Sequence, residues 1–376
     1  MKIRRAHVQL FERQLDGKAW NPAFRWTSRR APLLVIELDN GIMGVGEAWS
    51  RYTDAETVLQ TLSREVAPFL AGRHIGHPSD VWNQGIENGL AAARWDSAAA
   101  WSAADIALWD AFARDRGEPL WKALGGQRAQ APAYASGGLY RDDYGLDDLR
   151  GEARAYRERG FIAMKMKVAG IPREADLLRV AAVREGLGPQ ARLWVDAVNQ
   201  LTPESAMDFW HELQPFGVSA LQSPLPPENL AGLRHLNSLG VPVIASEAEY
   251  RHSEFAKLLD AGAVSHLQYC LTLCGGFTGG IQLDKLAAEH GVTSTPQCFS
   301  TAIAQAATLH FAAAHPNVIA AEYHCFHDHL QDLYVKGAGD IREGAASAGE
   351  GHGLSIGIPE AGLQREGSVI RYVSRA

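Results

Sequence analysis

Phe161-Ile162-Ala163-Met164-Lys165-Met166-Lys167-Val168-Ala169-Gly170 alternates as a strand does, and both of its charged residues fall on one side. Side chains at i and i+2 on a strand project from the same face, so Lys165 and Lys167 stand side by side. Each then disfavours the other's ammonium form, and one of them is a candidate base near neutral pH. The alternative is a solvated edge strand with two lysines that keep it from pairing.

What surrounds this stretch favours a barrel. Downstream of Ala131, short apolar runs alternate with helical stretches: Ala133 to Ser136, Ala163 to Val168, Leu193 to Asp196, Ala220 to Gln222, Val243 to Ala245, His266 to Gln268, Val292 to Ser294 and Val318 to Glu322. Runs spaced by roughly 25 to 30 residues are repeated βα units, and eight of them close into a barrel. Residues 1 to about 50 read as strands, with a hairpin turn at Asp39-Asn40-Gly41 between two apolar runs. Thr53 to Leu124 reads as helical and ends at Gly125-Gly126. The loop from Gln14 to Arg30 is long and rich in Trp20, Phe24, Trp26 and arginines, which marks it as functional or mobile. The expected fold class is therefore α/β: a TIM-like barrel in residues 131–354, an α+β domain in 1–130, and a tail, 355–376, that packs back on that first domain.

The chain has 376 residues, 46% apolar and 21% charged, with net charge -7. That profile carries no basic footprint, so nucleic acid is not an expected partner. No apolar run approaches the roughly 20 residues of a membrane span, and the polar residues after Met1-Lys2-Ile3-Arg4-Arg5 do not make a secretory signal. Cys270, Cys274, Cys298 and Cys325 fit neither a zinc ribbon nor a disulfide scaffold, so free thiols and a cytoplasmic location are expected.

Barrel chemistry lies at the C-terminal ends of the strands. Lys165 and Lys167 end the second, Asp196 the third with Asn199 beyond it, Gln222 the fourth, Glu247 the fifth, Gln297 the seventh and Glu322 the eighth. Oxygen groups on three successive strands beside two lysines suit a hard divalent cation and an adjacent base. His324, His327 and His329 follow the eighth strand, where a solvated loop or a catalytic acid are the two readings. Cys270 and Cys298 are expected to be ordinary buried thiols.

In order and spacing the chain resembles the enolase superfamily, in the mandelate racemase and muconate lactonizing group. The resemblance rests on Lys165-Met166-Lys167, Trp194-Val195-Asp196, Pro224, Glu247, Gly275-Gly276-Phe277-Thr278, Glu322 and Gly46-Glu47-Ala48, and covers almost the whole chain. It implies a (β/α)7β barrel under an N-terminal capping domain. It also implies Mg2+ held by Asp196, Gln222 and Glu247, Lys167 as the base that removes the proton α to a carboxylate, and Lys165 as its electrostatic partner. Asn199, Gln297, Glu322, Trp20 and Arg25 are then expected to touch the substrate, with the cap loops Gln14 to Arg30 and Ser50 to Asp54 closing over its distal part. Relatives are often symmetric dimers or octamers, so a homo-oligomer is expected.

Three departures narrow the chemistry. Gln222-Ser223-Pro224 stands where a glutamate is usual, which removes one negative charge from the cation site. Asn199 is displaced by one residue from the usual Asp-x-Asn. Where related racemases carry a His-Asp dyad this chain has Gln297 and Cys270, so a second base is missing. A one-base dehydration or cycloisomerisation of a small hydroxy acid or sugar acid is the expected function. A member that has kept the barrel only to bind, or one that works without the usual metal, are the alternatives.

Overall fold

The computed structural model describes residues 1–376 except 51–53, 92–93, 327, 361–363, 366–367 and 376. The chain opens with strands β1 (Ile3–Gln14), β2 (Ser28–Leu38) and β3 (Met43–Glu47), antiparallel neighbours in one sheet. The hairpin turn lies at Asp39-Asn40-Gly41, with Leu38 N donating to Ile42 O. Helices follow, the longest being α1 (Trp95–Asp115), which lies buried against β3. Close approach is possible because β3 carries Gly46: a Cβ there would stand 2.0 Å from the Ala103 carbonyl oxygen of α1.

Eight parallel strands make the barrel: β4 (Gln130–Ser136), β5 (Ala163–Lys167), β6 (Arg192–Asp196), β7 (Val218–Gln222), β8 (Val243–Ala245), β9 (His266–Leu267), β10 (Thr293–Ser294) and β11 (Ala321–His324). They pair in chain order from β4 to β10, and β11 pairs with β4. A parallel bridge between Ser294 and Val318, and Glu322 N donating to Pro296 O, join the seventh and eighth positions and close the ring. This is the α/β barrel with an N-terminal cap that the sequence predicted. The last strand described, β12 (Ser368–Arg375), pairs antiparallel with β1 in the cap sheet.

Alternation places the site. Tyr134, Ala163, Trp194, Ala220, Ile244 and Ala320 pack as one buried cluster inside the ring. Two residues further along the same faces come Lys165, Asp196, Gln222 and Glu322, which are therefore inside the ring as well. The residues between them, including Met164, Met166, Val195 and Leu221, belong to the core beneath the outer helices. At the eighth position the strand end differs from the sequence reading in a way that reaches the site: β11 continues to His324 instead of stopping at Glu322. Pairing with β4, where His324 lies opposite Ser136, carries the strand further.

Candidate active site

Strand register brings Lys167 opposite Asp196 and Asp196 opposite Gln222. Asp196 is the hub. Its Oδ2 lies 3.2 Å from Lys165 Nζ, accepts from Gln222 Nε2 at 3.0 Å and is paired with Lys167 Nζ, while Oδ1 accepts from Val198 N at 3.0 Å. Lys165 is 2% exposed and also pairs with Glu322 Oε1 at 2.9 Å. Glu247 accepts from Ser223 Oγ at 2.9 Å.

Burial opposes charge here, and the neighbours decide the outcome. For Lys165 burial works against the ammonium, but the Glu322 and Asp196 carboxylates outweigh it and hold the group above the ordinary lysine range. That corrects the expectation that its neighbour lysine would depress it: the two carboxylates that Lys165 pairs with outweigh burial and raise it. Burial alone would raise Asp196, yet Lys167 and Lys165 bring it below the usual carboxylate range. Glu247 moves the other way, pushed up by burial and then by repulsion from Asp196.

The donor set suits a hard divalent cation. Glu247 is a half-buried carboxyl opposed by a second carboxylate, and the buried Gln222 Oε1 has no hydrogen-bond partner among the described residues. A cation among these oxygens would relieve both. Among the described residues no cluster of three or more His, Cys, Asp or Glu side chains is placed to hold a metal, which agrees with an amide standing third beside two carboxylates. Beyond two of these residues the backbone is strained: Val198 has φ +50° and Ser223 φ +43°, left-handed values that residues other than glycine rarely adopt, the β-branched Val198 least of all.

A pocket opens over this cluster. Lys165, Lys167, Gln222, Glu247, Gln297 and Glu322 line its polar floor, with His324 beside them. Asn21, Phe24, Trp26, Trp49 and Phe299 line the mouth, so part of the Gln14 to Arg30 loop reaches the pocket. Three expected contacts do not. Asn199 is exposed, and only its backbone is engaged, N donating to Ser223 O at 2.7 Å. Arg25 makes a two-pronged contact with Asp142 at 2.6 and 3.0 Å, and Trp20 stacks on Tyr140 with ring centroids 4.4 Å apart. Both belong to a separate surface where the cap loop meets Tyr140–Arg141. Residues 51–53 of the second cap loop, and His327, lie outside the described residues.

His324 is the site residue that sequence reasoning placed among loop histidines. It is a buried strand residue whose imidazole is held well below its ordinary value by burial and by Lys165 and Lys167. Alternation from Glu322 was the signal for it. His329 instead lies by Arg13 at 3.2 Å. Burial pushes the Cys270 thiol up to about 12 and Cys298 well above the usual range, which favours the protonated thiol over the nucleophilic thiolate at both.

Behind the mouth lies Arg29, fully buried, donating to Ser300 Oγ at 3.0 Å, Ser50 O at 3.0 Å and Phe299 O at 3.3 Å. Glu47 stands 3.9 Å from it and accepts from Thr301 Oγ1 at 2.6 Å. Gly46-Glu47-Ala48 is thus a joint between the cap and the barrel loop after β10.

Comparison with known proteins agrees with this geometry. Residues 148–362 match the family described as enolase C-terminal domain-like, and residues 19–125 match the mandelate racemase / muconate lactonizing enzyme N-terminal domain. The chain is 31% identical over 372 residues to a D-galactarolactone cycloisomerase of Agrobacterium fabrum, covering 95% of this chain and 97% of that protein. It is 28% identical over 325 residues to an arabinonate dehydratase of Saccharolobus solfataricus, covering 86% and 87%. The crystal structure of an enolase superfamily member from Polaromonas sp. JS666 superposes with a TM-score of 0.86 at 28% identity, covering 96% of each chain. The chain belongs to the enolase superfamily, in its mandelate racemase and muconate lactonizing group, and is an enzyme of the lyase and isomerase kind.

Proposed function

We propose that this enzyme removes the proton α to the carboxylate of a small hydroxy acid or sugar acid, with Lys167 as base, and completes a one-base dehydration or cycloisomerisation. The observation that carries the reading is Asp196 as a shared acceptor for Lys165, Lys167 and Gln222, with Glu247 just beyond the end of β8. Asp196, Gln222 and Glu247 would hold Mg2+, which when bound supplies the positive charge that an enediolate needs. Lys167 abstracts a proton only as the free amine, so its pairing with Asp196 has to loosen when substrate and cation are present. Lys165, kept cationic by Glu322 and Asp196, remains a fixed positive charge beside the substrate carboxylate. Gln297 cannot exchange a proton, which supports chemistry from one face. The site lies between a cap of residues 1–130 and a barrel of 131–354, in a cytoplasmic homo-oligomer; the four free thiols support a reducing compartment.

The test is α-hydrogen exchange. The protein is incubated in D2O with Mg2+ and a panel of hydroxy and sugar acids, and deuterium uptake at Cα is followed by NMR for the wild type and for Lys167→Ala. Uptake that disappears in the variant supports the reading; uptake that persists in it shows that another group is the base.

A further inference from the structure

Residues 297–301, which follow β10, join the floor of the pocket to its mouth: Gln297 lines the one and Phe299 the other. Residues 298–300 belong to no helix or strand, so partners elsewhere in the chain decide where they lie. The first two residues of the segment are tied to the barrel. Gln297 N donates to Tyr269 O at 2.8 Å, and Cys298 N donates to Glu322 Oε2 at 3.3 Å. The other three are tied to the cap. Arg29 donates to Phe299 O at 3.3 Å and to Ser300 Oγ at 3.0 Å, and its guanidinium lies 4.4 Å from the centre of the Phe299 ring. Glu47 accepts from Thr301 Oγ1 at 2.6 Å and from Ala304 N at 3.3 Å, at the start of the helix Ala302–Ala314.

Arg29 also donates to Ser50 O at 3.0 Å, so one fully buried guanidinium holds a cap segment and a barrel segment together. Its planar fork of donors can meet acceptors on both segments at once, where a lysine offers a point charge on a flexible stem. The arrangement reaches the chemistry through Glu322. The carboxylate that accepts from Cys298 N is the one that pairs with Lys165 at 2.9 Å. Asp196, Gln222 and Glu247 lie on other strands, at the ends of β6, β7 and β8.

We propose that Arg29 is a positioning residue for catalysis: from the cap it fixes residues 298–301, so that Phe299 stays at the mouth while Cys298 N–H holds Glu322 against Lys165. For the reaction that it serves, the inference rests on the enolisation reading.

The experiment compares the wild type with Arg29→Lys and Arg29→Ala in three readouts. These are α-hydrogen exchange in D2O with the acids that the wild type exchanges, Mg2+ affinity by calorimetry, and amide hydrogen exchange of residues 297–304 by mass spectrometry. In both variants kcat for α-exchange is expected to fall about tenfold or more, and amide exchange in that segment to quicken about tenfold or more. Mg2+ affinity is expected to stay within about twofold. Millimolar guanidinium chloride, which can fill the space left in Arg29→Ala, is expected to restore part of that variant's kcat, and ammonium chloride is not. A kcat within about twofold of wild type, unchanged amide exchange, a loss that guanidinium does not restore, or Mg2+ affinity falling in step with kcat overturns the proposal. Where neither variant folds, Ser300→Ala, which removes one acceptor and no charge, decides. A kcat about threefold lower with Mg2+ affinity retained supports the proposal, and an unchanged kcat overturns it. If the amides loosen as stated but the wild type exchanges no α-hydrogen with any acid, the positioning of the segment stands and the enolisation reading fails.

Discussion

At the barrel mouth, Asp196 is pulled by two ammonium groups and an amide while the buried Oε1 atoms of Gln222 and Gln297 have no hydrogen-bond partner among the described residues. At the joint between cap and barrel, Asp110 and Asp105 are equally buried, but every carboxylate oxygen is engaged. Asp110 accepts from Val45 N at 2.9 Å, Leu354 N at 2.8 Å and Arg114 Nε at 2.9 Å, tying β3 and α1 to the segment that leads into the tail. Asp105 accepts from Thr278 Oγ1 at 2.6 Å and Thr278 N at 2.9 Å, so a cap side chain caps the barrel helix that begins at Gly276. The same residue type is thus used in two ways. Where its partners are complete it fastens two parts of the fold, and where polar atoms beside it lack partners the arrangement awaits a ligand.

That contrast can be broken by substitution. The largest effect belongs to Lys167→Ala: α-hydrogen exchange should fall by about 1,000-fold or more, worth about 4 kcal/mol of barrel-mouth chemistry, with the unfolding midpoint little changed. Asp196→Asn and Asp110→Ala form the direct comparison. The first should weaken Mg2+ binding by on the order of 100-fold in calorimetry while holding stability, and the second should cost about 3 kcal/mol in urea unfolding while leaving Mg2+ affinity alone. If Asp110→Ala weakens Mg2+ and Asp196→Asn unfolds the protein, the division between fastening and function is wrong.

Smaller effects sharpen it. Gln222→Glu restores a third negative oxygen ligand and should tighten Mg2+ by about tenfold, or about 1.4 kcal/mol. An unchanged affinity would mean that Gln222 is not a ligand. At the joint, burial pushes Asp105 up to about 7 against the hydrogen bonds from Thr278. The native state then keeps a proton that the unfolded chain has lost above its usual value of about 4, so this group's contribution to stability falls as pH rises from about 4 to 7, by at most about 1.4 kcal/mol per unit. Asp105→Asn cannot ionise, and its unfolding free energy should change less over that window; equal slopes for the two proteins would show that Asp105 is ionised throughout.

Much of this was legible from local pattern. Alternation in Ala163 to Val168 put Lys165 and Lys167 on one face, the repeated strand and helix spacing announced the barrel, and the ends of the third, fourth and fifth strands gave Asp196, Gln222 and Glu247. These readings need only the two-residue period of a strand and the direction of a parallel sheet. The mouth was legible only as a loop: Phe24 and Trp26 are at the pocket, but Trp20 and Arg25, a few residues away in the same segment, turn to Tyr140 and Asp142.

By itself, then, the sequence determined the barrel and its polar floor, because strand periodicity is a property of consecutive residues, while the departures at Gln222, Cys270 and Gln297 stood out only against the family resemblance. The tertiary structure decided that β11 runs on to His324, that Lys165 is claimed by Glu322, that Glu47 and Arg29 join cap to barrel, and that the rim is aromatic. Each of those depends on which distant residue arrives as partner, and burial makes that partner decide both the charge and the direction of the side chain.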